Sequence, residues 1–189
     1  MKFSKIAITG HTKGLGKFLF NKLSKNYSVL KTSFRIENSM EIINEVKECD
    51  VFINNAHYDF HQVVLFNNLF DKWKSDPSKL IINIGSRSAE PNLSKGFIYS
   101  SSKSALMHAV KLAVFNCSKK KCRVSLLNLG LLESNLPSLE YGSVYELIKY
   151  ILKSPPNVEF PIVYLQDSHS YKDVQILKEN DQFYKNSKS

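Results

Sequence analysis

A doubly wound α/β domain, with a parallel sheet held between two helical layers (α/β/α), is the fold class this sequence predicts. Short, apolar, β-branched runs alternate with amphipathic helical stretches along the chain. A glycine-rich turn, from Thr9 to Gly16, joins the first run to the first helical stretch. At 189 residues the chain is long enough for one well-buried core and short for two.

Each element has its own justification. Residues 3–9 read as a buried strand, β-branched at its centre and ended by Gly10. Over 14–25, Leu15, Phe18, Leu19 and Leu23 fall at helical spacing. Residues 28–34 are a second strand. Residues 39–48 are a helix opened by Ser39 as N-cap, with Ile42, Ile43 and Val46 turned inward. A third strand over 50–54 precedes a helix over 62–74, closed by Asp76 and Pro77. The fourth strand spans 79–86 and the longest helix 97–118. A strand over 123–129, a helix over 144–153 stopped by Pro155 and Pro156, and a strand over 160–165 complete the pattern. From Asp167 the chain turns polar. The organisation is therefore one domain over 1–166 and a polar C-terminal extension over 167–189.

Composition excludes several classes. Hydrophobic residues at 43% and charged residues at 23% rule out wholesale disorder. No apolar run approaches the roughly 18 residues that cross a bilayer, so no membrane partner is expected. Three cysteines, Cys49, Cys117 and Cys122, form neither a Cys-x-x-Cys pair nor an even set. A disulfide framework and a zinc ribbon are unexpected, and a reduced, cytoplasmic setting is the default. The net charge is +9, yet only three of the 26 basic residues are arginine, and the lysines are spread along the chain. The one basic run, Lys119 to Arg123, sits where a helix should end, a position that favours cations. No nucleic-acid partner is expected.

The turn Thr9-Gly10-His11-Thr12-Lys13-Gly14-Leu15-Gly16 carries the first chemistry. Gly10 permits a sharp turn, Gly14 clears space for a phosphate against backbone, and Gly16 lets helix and strand pack closely. The free N–H groups of the following helix then face an anion. Further along stand Asn54-Asn55-Ala56-His57, the strand Ile82 to Ser86, Tyr99-Ser100-Ser101-Ser102-Lys103, and Asn128-Leu129-Gly130-Leu131-Leu132-Glu133-Ser134.

The T-G-x-x-x-G-x-G spacing and these four segments, in this order, resemble the short-chain dehydrogenase/reductase family, as a shortened member. His57 replaces the glycine of the family's Asn-Asn-Ala-Gly. Ser86 matches its active-site serine, and Tyr99 with Lys103 its Tyr-x-x-x-Lys pair, 13 residues beyond. Gly130, Leu132 and Ser134 fall in a segment similar to its Pro-Gly-x-x-x-Thr. The resemblance runs from Lys5 to about Gln166. It implies a nicotinamide cofactor held by Gly10, Thr12, Lys13, Gly14, Leu15, Gly16, Asn54, Asn55, Ala56, Tyr99, Lys103, Gly130, Leu132 and Ser134. It also implies a small carbonyl/alcohol substrate and a homodimer or homotetramer paired through the helices over 62–74 and 97–118.

The residues support that chemistry by themselves. Tyr99 and Lys103, four apart on a helix, project from one face. A tyrosine of pKa about 10 is a poor acid near neutrality, and an adjacent ammonium favours its phenolate. Ser86 can donate to a substrate oxygen that gains negative charge, while Tyr99 moves the proton. Arg35 ends the second strand, and Lys13 resembles the basic residue that many NADP-using members of the family carry; two such cations can clamp a 2′-phosphate, so NADP(H) is the expected cofactor. Should the strand run two residues longer, Glu37 reaches the adenosine ribose and NAD(H) takes its place.

Two departures stand out. The family's catalytic asparagine, on the helix before the serine strand, has no counterpart; its place falls near His61, which either relays protons, as a histidine can, or fills space. Only about 20 residues separate the second strand from Asn54, so the usual intervening helix and strand are reduced or merged. These departures favour an alternative, a cofactor-binding sensor or scaffold without turnover. Retention of Ser86, Tyr99 and Lys103 favours the oxidoreductase.

Overall fold

The computed structural model describes residues 3–90, 96–132 and 138–169, with the isolated positions 176, 177 and 179. Six strands, Lys5–Ile8 (β1), Ser28–Lys31 (β2), Val51–Asn54 (β3), Leu80–Ser86 (β4), Arg123–Leu129 (β5) and Ile162–Leu165 (β6), form one sheet. Its order is β2-β1-β3-β4-β5-β6 and every pairing is parallel. Five helices connect them: Gly14–Leu23 (α1), Ser39–Val46 (α2), His61–Trp73 (α3), Phe97–Lys111 (α4) and Tyr141–Lys153 (α5). The doubly wound prediction holds.

Each face of the sheet has its own core. Leu19 and Leu23 of α1 and Val144, Ile148 and Ile151 of α5 pack on Ile6, Ile8, Val51, Ile53 and Ile82. On the other face, Ile42 and Val46 of α2, Leu65, Phe66 and Leu69 of α3, and Leu106 and Val110 of α4 cover Ala7, Phe52, Ile81 and Val124. Alternate residues of a strand point to opposite faces, so strands buried on both sides must read as continuous apolar runs. All seven residues of β4 and of β5 are buried; β4 opens on the apolar run Leu80–Ile82, whereas β5 sets buried Arg123, Ser125 and Asn128 among its apolar residues. The first crossover turns back to β2 on one side of β1, and the chain then passes to β3 on the other. This reversal opens a crevice at the carboxyl ends of β1 and β3, where ligands bind in such sheets.

As the sequence reading expects, the crossover from β2 to β3 is trimmed: it keeps a single helix, α2, and no strand, so β2 is a sheet edge among the described residues. Two local differences from that reading remain. Ser39 lies inside α2, where its hydroxyl accepts from Asn68 Nδ2 at 3.2 Å; Asn38 takes the N-cap position without a side-chain bond. The long helix over 97–118 is α-helical only to Lys111 and continues as a π turn, Leu112–Asn116. The polar extension over 167–189 falls largely outside the described residues.

Candidate functional site

The glycine turn closes by backbone contact. Gly10 and Gly14 hold positive φ, 68° and 52°, values that residues with a side chain rarely adopt. A Cβ on Gly16 would stand 2.0 Å from the Gly10 carbonyl oxygen and 2.6 Å from Asn55 Nδ2. Only glycine lets α1 come this near the end of β1. Thr9 Oγ1 accepts from the Asn55 and Ala56 N–H groups at 3.0 and 2.9 Å, and Asn55 Nδ2 donates to the Thr9 carbonyl at 3.1 Å. These bonds tie the end of β3 to the turn. Leu15 anchors the helix start in the core, at 7% exposure.

α1 begins without a capping side chain and without an acidic residue in its first turn. Its first N–H groups and its positive dipole end are therefore free for an anion. Beside it lies a cleft of about 710 Å³, lined by Thr9 to Thr12, Lys31 to Glu37, and Ala56 to Tyr58. His11 Nδ1, on this wall, is buried and makes no hydrogen bond among the described residues. The volume, the open helix start and the orphaned nitrogen fit the adenosine-diphosphate half of a dinucleotide. Arg35 and Glu37 both line the cleft, whereas Lys13 is exposed and stands outside its lining. At the same strand end a second carboxylate arrives from α2: Glu45 accepts from Ser33 N at 3.0 Å and from Ser33 Oγ at 2.7 Å.

The second cluster is built from side chains. Ser86 ends β4, and its Oγ accepts from Ser88 N at 3.1 Å, which leaves the O–H to donate elsewhere. Tyr99 and Lys103 share a face of α4, with Lys103 Nζ 5.6 Å from the Tyr99 ring centroid. Lys103 is 3% exposed; burial pushes its ammonium down to about 7. Its Nζ donates to Gln62 Oε1 at 2.7 Å and to the Ile84 carbonyl at 3.0 Å. Gln62 Nε2 in turn donates to the carbonyls of Asn54 and Ile84, at 2.7 and 3.0 Å. Asn54 Nδ2 bridges the Gln62 carbonyl and Asn83 Oδ1, both at 3.0 Å. The middle of α4 is tied to the segment after β4 by Ser104, whose Oγ donates to the Ala89 carbonyl at 2.6 Å.

His57 packs its ring 4.8 Å from that of Tyr99 and bonds Ser102 Oγ through Nε2 at 2.9 Å. Burial, followed by the charge of Lys103, lowers its pKa. His61 opens α3 and stacks on Tyr58 at 5.7 Å; the contact to Lys103 is made by the next residue, Gln62. Gly130 donates its N–H to the Leu165 carbonyl at 2.8 Å, and Leu132 pairs with Leu139 beyond β5. Ser134 lies outside the described residues. Sequence reading missed Gln62, Asn83 and Glu45, whose roles depend on partners in other elements; the one trace of Gln62 in the sequence is an amide in line with the apolar positions Leu65, Phe66 and Leu69 of its helix.

No protein-family model and no curated protein matches the sequence. Solved structures do match. Serine dehydrogenase from Escherichia coli superposes with a TM-score of 0.72 at 14% identity, over 88% of this chain and 100% of that one. An alcohol dehydrogenase from the archaeon Thermococcus sibiricus, complexed with 5-hydroxy-NADP, gives 0.71 at 16% identity, over 88% and 97%. A 3-ketoacyl-(acyl-carrier-protein) reductase from Brucella melitensis, complexed with NADH, gives 0.68 at 15%, over 87% and 96%. The architecture follows from the likeness: this chain has the fold of the short-chain dehydrogenases and reductases.

Proposed function

We propose that the protein is a nicotinamide-dependent oxidoreductase acting on a small carbonyl/alcohol pair, with Tyr99 as acid and base. The observation that carries this reading is the pairing of Tyr99 with a buried Lys103, beside the strand end that presents Ser86. A bound nicotinamide supplies or accepts the hydride at the substrate carbon. The first-turn N–H groups of α1 hold its pyrophosphate. Ser86 donates to the substrate oxygen as negative charge develops there. Tyr99 gives that oxygen its proton in reduction and takes it back in oxidation, while the Lys103 ammonium stabilises the phenolate. A survey of carbonyl substrates followed by NADPH absorbance tests the reading: Tyr99→Phe should abolish turnover and leave cofactor binding nearly intact. Undiminished turnover in Tyr99→Phe overturns it.

NADP(H) is the cofactor this reading assigns, on the strength of Arg35 in the cleft wall. A charge-assisted hydrogen bond from Arg35 to a 2′-phosphate contributes about 1.5–3 kcal/mol, before screening. The domain is assigned to residues 1–166. A homo-oligomer is assigned through the apolar groove between α3 and α4, of about 510 Å³, with Val63, Phe70, Ala109 and Leu112 on its walls. A monomer by light scattering at micromolar concentration contradicts this part. Among the described residues no helix is long and apolar enough to cross a membrane. Three free thiols suit a reducing, cytoplasmic location.

The alternative, a cofactor binder without turnover, draws on one observation: the protein itself engages two of Lys103's three N–H donors. NADPH binding with no turnover on any carbonyl substrate would favour it.

A further inference from the structure

We propose that Gln62 is the positioning residue for Lys103, holding the ammonium in place and stabilising its charged form through the side-chain oxygen. The inference rests on the reading of Lys103 as the cation that serves Tyr99. It is carried by three hydrogen bonds that leave the amide one orientation.

Gln62 is 1% exposed. Its nitrogen faces two backbone carbonyls, of Asn54 at 2.7 Å and Ile84 at 3.0 Å, which can only accept. An amide turned the other way would set oxygen against both, so Oε1 must point at Lys103 Nζ, 2.7 Å away. The Gln62 main-chain carbonyl is tied to Asn54 Nδ2 at 3.0 Å, which fixes the first turn of α3 to the end of β3. The clamp thus stands on β3 and β4, two central strands, and reaches across to α4.

Among the described residues no carboxylate lies beside Lys103; burial alone accounts for the fall in its pKa. His57, from the turn after β3, is its titratable neighbour across the site, and Tyr99 lies one turn back on α4. Neither offers a negative charge while His57 is neutral or cationic and the phenol is protonated. The oxygens that solvate the ammonium are therefore Gln62 Oε1 and the Ile84 carbonyl. Of these, only Gln62 belongs to a replaceable side chain. Three donors less two leaves one N–H of Lys103 for the phenol or a cofactor hydroxyl. Gln62 decides which way that donor points.

The test follows Lys103 itself, without cofactor or substrate, so it stands even if the oxidoreductase reading fails. Protein labelled with 13C at lysine Cε is titrated by NMR, and Lys103 is assigned by the signal missing from Lys103→Met. Loss of a hydrogen bond to a charged group should lower the Lys103 pKa by about one to two units in Gln62→Met. Gln62→Asn, which keeps an amide but shortens its reach, should shift it in the same direction. It decides the matter should Gln62→Met fail to fold. Leu65→Ala, a destabilising change on the same helix, should leave the titration where it is. A Lys103 pKa that does not move in a folded Gln62 variant, or that moves equally in Leu65→Ala, overturns the proposal.

Discussion

The glycine turn and the Lys103 cluster lie on opposite sides of the carboxyl end of β3, and they are built by opposite means. The turn is made almost wholly of backbone, shaped by missing side chains and open to a cleft. The cluster is made of long side chains, Gln62, Lys103, Asn54 and Asn83, closed away from solvent. The first is sensitive to volume and the second to charge. A single added methyl should damage one, while a change of pH should act on the other.

The largest effect expected is from Gly16→Ala. Its Cβ would meet the Gly10 carbonyl, a backbone atom with nowhere to go. Thermal denaturation should show a loss of about 3 kcal/mol, with NADPH binding lost as well. Gly142, in α5, is the comparison: no atom lies within 4 Å of its would-be Cβ. Gly142→Ala should stabilise by about 0.5 kcal/mol, through helix propensity. Equal effects at the two glycines would erase the steric half of the contrast.

Lys103→Met addresses the electrostatic half. Lys103 titrates near pH 7 in the folded protein, against an ordinary value of 10.5. Between those values the unfolded chain binds the extra proton, so the group's contribution to stability rises with pH through that window. The burial penalty is fully present below pH 7 and gone above pH 10.5. Relative to wild type, Lys103→Met should therefore be more favourable at pH 6 than at pH 10. A wild-type-minus-variant difference that stays flat across pH 6–10 would count against a buried, titrating lysine.

The smallest effect lies at the cleft's rim. Glu45 occupies the Ser33 donors and adds negative charge where a 2′-phosphate would approach. Glu45→Gln should strengthen NADPH binding by about 2–3-fold, roughly 0.5 kcal/mol for an exposed charge, and NADH binding less. Titration calorimetry with both cofactors measures it. Equal gains would mean that Glu45 does not discriminate between them.

What the sequence discloses follows the same division. A backbone that must take positive φ or admit a neighbour at van der Waals distance leaves glycine at fixed spacing, so Gly10, Gly14 and Gly16 were legible. Tyr99 and Lys103 were legible because one helix carries both. Gln62 was not: it meets Lys103 across 41 positions, and only the pairing of β3 with β4 and the docking of α3 and α4 bring them together. The π turn after Lys111 was hidden for another reason, since no glycine or proline marks it. The end of β2 shows the limit from the other direction. Sequence posed Arg35 against Glu37, and both line the cleft, while the acid that binds the strand end, Glu45, comes from the next helix.

Removal of the strand between β2 and β3 has a colloidal consequence. Among the described residues β2 is one margin of the sheet and β6 the other, each four residues long, against seven in β4 and β5. An unpaired strand edge is a template on which a second chain can add, and short, charged edges are poor templates. β2 ends in exposed Lys31, and a net charge of +9 keeps like molecules apart. The sheet thus exposes only short edges to sticky collisions, and its two longest strands, β4 and β5, lie inside it.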